Sequence, residues 1–282
     1  MTAVGFIGLG SQGAPMARRI VAAGYPLVLW GRRPESLLPF RDSGASTAAS
    51  ITELGARAEH VGICVVDDAG VQAVCAELIP AMRPGSRIAV HSTVHPRTVI
   101  DLAGRAAARE IALVDAPVSG GGPAASSGTL TVMTGGDEQV LAAARPIFAT
   151  FAGLIIRVGD VGAGQMAKLL NNALMAVHMA AAHHALAAGE ALNLDRAALC
   201  ELVKASSGRS FGFEVYSRLP HPAAFGHGAR LLAKDMRLLG ELLGAERAFA
   251  PLRDLAAPFL EVAQGLVPTG STSGTHDTRN RA

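Results

Sequence analysis

Apolar residues follow two different periods along this chain. Before Gly164, short runs rich in Val, Ile and Leu alternate with segments of helical spacing. The runs 4–7 (VGFI), 25–31 (YPLVLWG), 60–66 (HVGICVV), 86–91 (SRIAVH) and 111–115 (IALVD) predict buried strands, with shorter ones at 130–134 and 155–158. Helical patterns lie between them, including 71–82 and 96–109. Strands alternating with helices predict a mostly parallel sheet, whose ligands sit at the carboxyl ends of the strands. Asp67, Asp68, Ser92 and Thr93 fall at such ends. After Gly164 the pattern is helical only: 165–192 predicts one helix of about 40 Å at 1.5 Å per residue. Further helices are expected at 195–205, 228–243 and 250–263. Residues 268–282 (PTGSTSGTHDTRNRA) carry no apolar period and read as a disordered tail.

The first strand runs straight into Gly8, Gly10 and Gly13, then into a helical pattern through Met16, Ala17 and Ile20. In a dinucleotide site each glycine has its own physical role. Gly8 permits a tight turn, Gly10 lets a pyrophosphate approach the backbone, and Gly13 lets the helix pack closely on the strand. The amides opening the helix would hold the phosphates, so Ser11 and Gln12 join the three glycines as cofactor-binding candidates. Val66 and Asp67, after the third strand, are added to them. At the end of the second strand an acidic residue would accept the ribose hydroxyls of NAD, but this chain has Arg32 and Arg33. Two guanidiniums match a 2′-phosphate in charge and fork geometry, which favours NADP over NAD, with Arg32 the better placed. The fold expected is α/β, an N-terminal Rossmann doubly wound sheet over 1–162 joined by a long helix to an all-α C-terminal domain over 163–267.

Composition removes several alternatives. With 282 residues, half of them hydrophobic and 17% charged, the chain can bury a large core in two domains. A net charge of +2 and 4% aromatics leave no nucleic-acid footprint. With a strand predicted at 4–7 and no charged and apolar leader pattern before it, no secretory signal is expected. The most apolar stretch, 166–192, is interrupted by Lys168, Asn171, Asn172, His178, His183, His184 and Glu190, so no membrane span is expected. Cys64, Cys75 and Cys200 lack a CxxC spacing and read as reduced thiols of a cytoplasmic protein.

Three groups of residues are candidates for chemistry. Lys168, Asn171 and Asn172 lie within one helical turn, and i, i+4 spacing puts Lys168 and Asn172 on one face. Partial burial would lower the lysine's pKa, and such an amine can pass a proton to a carbonyl oxygen as hydride reaches the carbon. Taken alone, a helical lysine is more often a solubility residue. Ser119, Gly120, Gly121 and Gly122 form a glycine-rich turn whose amides and hydroxyl suit a carboxylate, or else simply a loop needing positive φ. Lys234 and Asp235 sit in an apolar helical run and read as a salt-bridged pair on a wet face. His91 with His95 and His183 with His184 lack metal-site partners, so no metal is expected, and no GxSxG elbow points to a hydrolase.

In order and spacing these pieces resemble the β-hydroxyacid dehydrogenases, the 3-hydroxyisobutyrate dehydrogenase group in particular, as far as residue 266. GFIGLGSQGAPMA resembles that family's cofactor loop, STVHP at 92–96 its nicotinamide-side loop, and DAPVSGG at 115–121 with GTLTVMTGG at 128–136 its substrate segment. GAGQMAKLLNN at 162–172 resembles its catalytic helix, and SSGRS at 206–210 with AKD at 233–235 its C-terminal signatures. The resemblance implies Lys168 as acid/base, Asn172 orienting the substrate, and Ser119, Gly120 and Gly121 holding its carboxylate. It implies Thr93 on the nicotinamide ribose, and Lys234 with Asp235 lining the cleft near the cofactor. The partner implied is a small carboxylate-bearing substrate, a 3-hydroxyacid or its semialdehyde, in a homodimer or homotetramer. Departures are Gln12 where Met is usual, Pro123 after the Ser119 turn, and a short segment between Ser210 and Lys234 in which Phe211, Phe213 and Tyr216 are expected to wall the pocket. Two other readings stand beside this one. Imine reductases share the fold but usually replace the lysine, and a silent NADP-binding scaffold is expected to lose Lys168 or the Ser119 loop.

Overall fold

The structure is a computed structural model that describes residues 2–244 and 249–267, so the tail expected at 268–282 lies outside the described residues. Six strands, β1 (Val4–Ile7), β2 (Leu27–Trp30), β3 (Ser46–Thr47), β4 (His60–Ile63), β5 (Arg87–Val90) and β6 (Ala112–Asp115), pair in parallel in the spatial order β3-β2-β1-β4-β5-β6. That is the order of the doubly wound dinucleotide fold, with its crevice where the order reverses between β1 and β4. The sheet continues through β7 (Val118–Ser119) and β8 (Leu130–Gly135), which run antiparallel, and β9 (Ala152–Gly159), which pairs in parallel with β8. β9 has eight residues where the sequence predicts a short strand at 155–158, because most of its side chains stay exposed and its apolar pattern is diluted by Gly153 and Arg157.

Strands β1, β2, β4, β5 and β6 are buried on both faces, which is why they read as continuous apolar runs rather than alternating ones. Val4 and Phe6 of β1 enter one core cluster and Ile7 the other. The first cluster is closed by α1 (Gly13–Ala22), α5 (Gly121–Ser127) and α6 (Glu138–Phe148), through Met16, Ala17, Ile20, Ala125, Leu141 and Phe148. The second is closed by α2 (Ile51–Arg57), α3 (Asp68–Ala81) and α4 (Pro96–Ala107), through Ile51, Leu54, Val71, Leu78, Val99 and Leu102. α2 and α6 are not expected from the sequence pattern: α2 is only seven residues long, and α6 is built on an alanine run that gives little periodic contrast.

Two histidines are built into this apolar interior. His91 stacks on Phe6, meets Phe148 and Phe151 edge-on, and donates from Nδ1 to the Ala116 carbonyl at 2.8 Å. His60, on β4, lies edge-on to Phe148 and neither of its ring nitrogens has a hydrogen-bond partner among the described residues. Burial holds the His60 ring down to about 3 and the His91 ring down to about 4, so both are neutral in the folded protein. The unfolded chain takes up these protons below 6.5, and stability is lost as pH falls from there toward about 4 for His91 and about 3 for His60. Because His60 leaves two polar atoms unsatisfied, His60→Leu is expected to raise stability by about 1 kcal/mol and to flatten the acid limb. Denaturant unfolding across that pH range checks this, and an unchanged acid limb would contradict it.

The remaining helices are α7 (Ala163–Ala191), α8 (Arg196–Ala205), α9 (Phe211–Ser217), α10 (Gly226–Leu243) and α11 (Ala250–Gln264). The chain divides into two compact units, Met1–Leu170 and Asn171–Ala282, so the first turns of α7 belong to the sheet-bearing unit. Within the helical unit, the His183 ring and the Tyr216 hydroxyl are 2.7 Å apart, and both rings pack on Phe259. No described helix is long and apolar enough to cross a membrane.

Candidate active site

The loops at the carboxyl edge of the parallel strands are tied together by specific short contacts. Gly8 has φ +99°, and a Cβ there would stand 2.2 Å from the Cys64 carbonyl, so the turn after β1 admits only glycine. At Gly13 a Cβ would meet the Gly8 carbonyl at 1.9 Å, which fixes how closely α1 starts above the strand. At Gly10 a Cβ would meet nothing within 4 Å. The α1 N-terminus has no side-chain cap and no acidic residue in its first turn, which leaves its amides and the positive end of its dipole for an anion. An open Gly10 beside an uncapped helix start is the cradle a pyrophosphate requires, and these residues fit a dinucleotide. Ser11 and Gln12 complete that turn. Gly122 brings the glycine-rich turn after β7 against it, since a Cβ there would lie 2.9 Å from the Ser11 carbonyl.

After β2, Arg33 lies 3.9 Å from Glu35, whereas Arg32 makes no ion pair among the described residues and is exposed. After β4, Val66 is 70% exposed, and the Asp67 carboxylate caps α3 by accepting from the Gly70 amide at 2.9 Å. The loop after β5, which carries Thr93, is pinned from three sides. The Val65 amide donates to Ser92 Oγ at 2.8 Å, the His95 amide donates to Asp68 Oδ1 at 2.9 Å, and Gln165 bonds both backbone groups that flank Thr93.

Gln165 and Lys168 stand one turn apart at the start of α7. That helix start is held by Asp115 at the end of β6, a fully buried carboxylate that accepts from the Gly162 amide and the Gln165 amide, each at 2.8 Å. Burial pushes Asp115 up to about 6, against the backbone N–H bonds that pull it down. Lys168 is only 8% exposed, so its ammonium is far from the surface solubility residue that a helical lysine usually is. The turn at Ser119, Gly120 and Gly121 has φ of +127° at Gly120 and +71° at Gly121, so both glycines are conformationally required. Sequence reasoning gives no individual role to Gln165, Ser92, Asp68 or Asp115, although Asp68 and Ser92 are noted at strand ends and Ser92, Asp115 and Gln165 lie in segments that carry the family resemblance. The only signal is the presence of polar residues just before or after apolar runs, because their partners are far away in the chain.

The helical unit holds its own polar cluster. The Asn172 amide donates to Asp235 Oδ2, and the Lys234 ammonium lies 2.9 Å from Asp235 Oδ1. The pair expected between Lys234 and Asp235 is present, but the wet face is not: Asp235 is 3% exposed, because the apolar run around it turns that side of α10 inward. Of the three aromatics expected to wall a pocket, Phe213 and Tyr216 are buried in the helical core and Phe211 is exposed.

Residues 3–159 match the family described as the NAD binding domain of 6-phosphogluconate dehydrogenase, and residues 162–278 match that described as the NAD-binding domain of NADP-dependent 3-hydroxyisobutyrate dehydrogenase. The chain belongs to the β-hydroxyacid dehydrogenase family. An NAD-dependent L-serine dehydrogenase of Pseudomonas aeruginosa is 36% identical over 91% of this chain and 90% of its own length. Human mitochondrial 3-hydroxyisobutyrate dehydrogenase is 34% identical over 84% of this chain and 74% of its own. A solved structure of Mycobacterium tuberculosis 3-hydroxyisobutyrate dehydrogenase with L-serine superposes with a TM-score of 0.81 at 28% identity, covering 95% of this chain and 100% of the other. As a β-hydroxyacid dehydrogenase of the 3-hydroxyisobutyrate type, the chain is an NAD(P)-dependent oxidoreductase acting on a CH–OH group.

Proposed function

We propose that this β-hydroxyacid dehydrogenase prefers NADP and interconverts a short 3-hydroxyacid and its semialdehyde, with Lys168 as the proton-transferring residue. The observation that carries this reading is the burial of Lys168 one helical turn after Gln165, whose side chain is bonded into the loop that bears Thr93. A bound nicotinamide supplies the hydride acceptor or donor. Lys168 takes the proton from the substrate hydroxyl during oxidation and returns it to the carbonyl oxygen during reduction. Its charge stabilises the alkoxide as it forms, in a position that excludes most water. Ser119, Gly120 and Gly121 take the carboxylate, and Thr93 takes the nicotinamide ribose. Val66 and Asp67 border the cofactor. Asn172 orients the substrate and Lys234 reaches the cofactor side, with Asp235 holding both through its two oxygens.

L-serine and 3-hydroxyisobutyrate share a carboxylate and a primary alcohol on the third carbon, and the relatives named for them make this the substrate class to test first. Substrate and cofactor are handled by a homodimer or homotetramer in the cytoplasm. The cofactor preference rests on Arg32, an exposed guanidinium at the end of β2 with no acidic partner among the described residues, while Glu35 lies beside Arg33. Arg32→Ala is expected to raise KM for NADPH about 10- to 100-fold, the worth of a charge-assisted hydrogen bond, and to leave NADH within about twofold. Initial rates with both cofactors on a panel of 3-hydroxyacids and semialdehydes check this. Equal losses with the two cofactors would reject the 2′-phosphate contact.

A further inference from the structure

We infer that Gln165 is a positioning residue that locks the Thr93 loop to the Lys168 helix, so that both reach the reacting centre as one rigid piece. The inference rests on the dehydrogenase reading above. Gln165 is fully buried, and both ends of its amide are used. Its Oε1 accepts from the Val94 amide at 3.0 Å, and its Nε2 donates to the Ser92 carbonyl at 2.8 Å. These are the two backbone groups on either side of Thr93. One needs an acceptor and the other a donor, a combination that a planar carboxamide supplies from a single side chain. A carboxylate only accepts, an ammonium or guanidinium only donates, and a thioether does neither at useful strength.

The other end of the lock is equally firm. The Gln165 amide is fixed to Asp115 Oδ2 at 2.8 Å, and Lys168 follows three residues later on the same side of α7. A shift of the loop is therefore transmitted to the helix, and the reverse. A displacement of about 1 Å between reacting groups lowers turnover by about 100-fold.

Two substitutions separate this role from ordinary packing. Gln165→Met keeps the volume and removes both bonds. It is expected to lower kcat about 30- to 100-fold while the dissociation constant for NADPH, read by its fluorescence, rises by no more than about tenfold, the worth of the one ribose contact that Thr93 makes. Gln165→Glu loses the donor when ionised and regains a donor and an acceptor when protonated. Its kcat relative to wild type is therefore expected to climb as pH falls, whereas the same ratio for Gln165→Met stays flat. Taking the ratio cancels the titratable groups common to the proteins compared: Asp115, which accepts from the Gln165 backbone amide, Asp68, which accepts from the His95 amide of the same loop, and His91, His95 and Lys168 on the elements joined there.

Hydrogen exchange in the cofactor-free chain supplies a readout independent of turnover. In Gln165→Met, exchange in the peptide spanning residues 91–96 is expected to quicken about tenfold or more, with β4 unchanged. Unaltered exchange at 91–96, an equal acceleration in β4, or a kcat within about twofold of wild type would each overturn the inference. If the wild-type protein oxidises no 3-hydroxyacid and reduces no semialdehyde, the dehydrogenase reading fails by itself, and the exchange experiment still decides whether Gln165 locks the loop.

Discussion

Lys168→Met is expected to lower kcat about 1,000-fold in both directions while leaving KM for the acid within about threefold. Lysine is scarce in this chain, which has three, at 168, 204 and 234. Lys204 makes a surface pair with Glu201 at 2.7 Å, and Lys234 lies against Asp235 at 2.9 Å. Positive charge at the surface is carried mostly by arginine, so an 8% exposed lysine is not there for solubility. Methionine retains most of the aliphatic stem and removes only the amine, which isolates proton transfer from packing. Lys168→Arg is expected to fail as well, because a guanidinium stays protonated at every working pH and cannot act as a base. Single-turnover kinetics with a 3-hydroxyacid deuterated at C3, the carbon that gives up hydride, check the assignment. A methionine variant with near wild-type turnover would remove Lys168 from the chemistry.

The second large effect is structural. Asp115 accepts from the amides of Gly162, Gly164 and Gln165 and from its own backbone, and deleting the carboxylate removes all of these bonds from a buried helix start. Asp115→Asn, which turns one acceptor into a donor facing N–H groups, is expected to cost about 2–3 kcal/mol and to lower Tm by about 5–10 °C. Asp115→Ala is expected to cost more. The pH dependence has a definite sign. Burial raises Asp115 from 3.8 to about 6, so the folded state holds its proton more tightly than the unfolded chain. The stability this contributes is present at low pH and is lost as pH rises through about 6. The gap between wild type and Asp115→Asn therefore widens on acidification, even as His60 and His91 weaken both proteins alike. Thermal unfolding on either side of that value tests it, and a gap below about 0.5 kcal/mol would show that the amides find other partners.

What can be read from the chain follows the range of the interactions. The β1 turn and α1 are legible because Gly8, Gly10 and Gly13 act within a few residues of one another. The parallel strands are legible because burial on both faces leaves unbroken apolar runs such as 60–66 and 111–115, although the first of these pairs only as far as Ile63 and the second begins pairing at Ala112. Lys168 is legible as a candidate only through its setting, and its burial depends on packing that periodicity does not encode. Gln165 is not legible: its two bonds reach back 71 and 73 residues, and nothing near it in the chain shows that both ends of its amide are engaged. Asp115 is hidden in the same way, since the amides it accepts from lie 47 and 50 residues further on. The wet face expected for Lys234 and Asp235 fails because a charged pair in a helix is usually solvated, whereas here Lys234 on one carboxylate oxygen and Asn172 on the other together make burial of Asp235 tolerable.

The catalytic account depends on an amine at position 168 standing where substrate and cofactor meet. A crystal structure of the chain with NADP and a bound 3-hydroxyacid measures this directly: the account predicts Lys168 Nζ about 3 Å from the substrate hydroxyl, with the substrate carbon facing the nicotinamide ring. If the hydroxyl is instead held by another group and Lys168 points away from it, the account is contradicted.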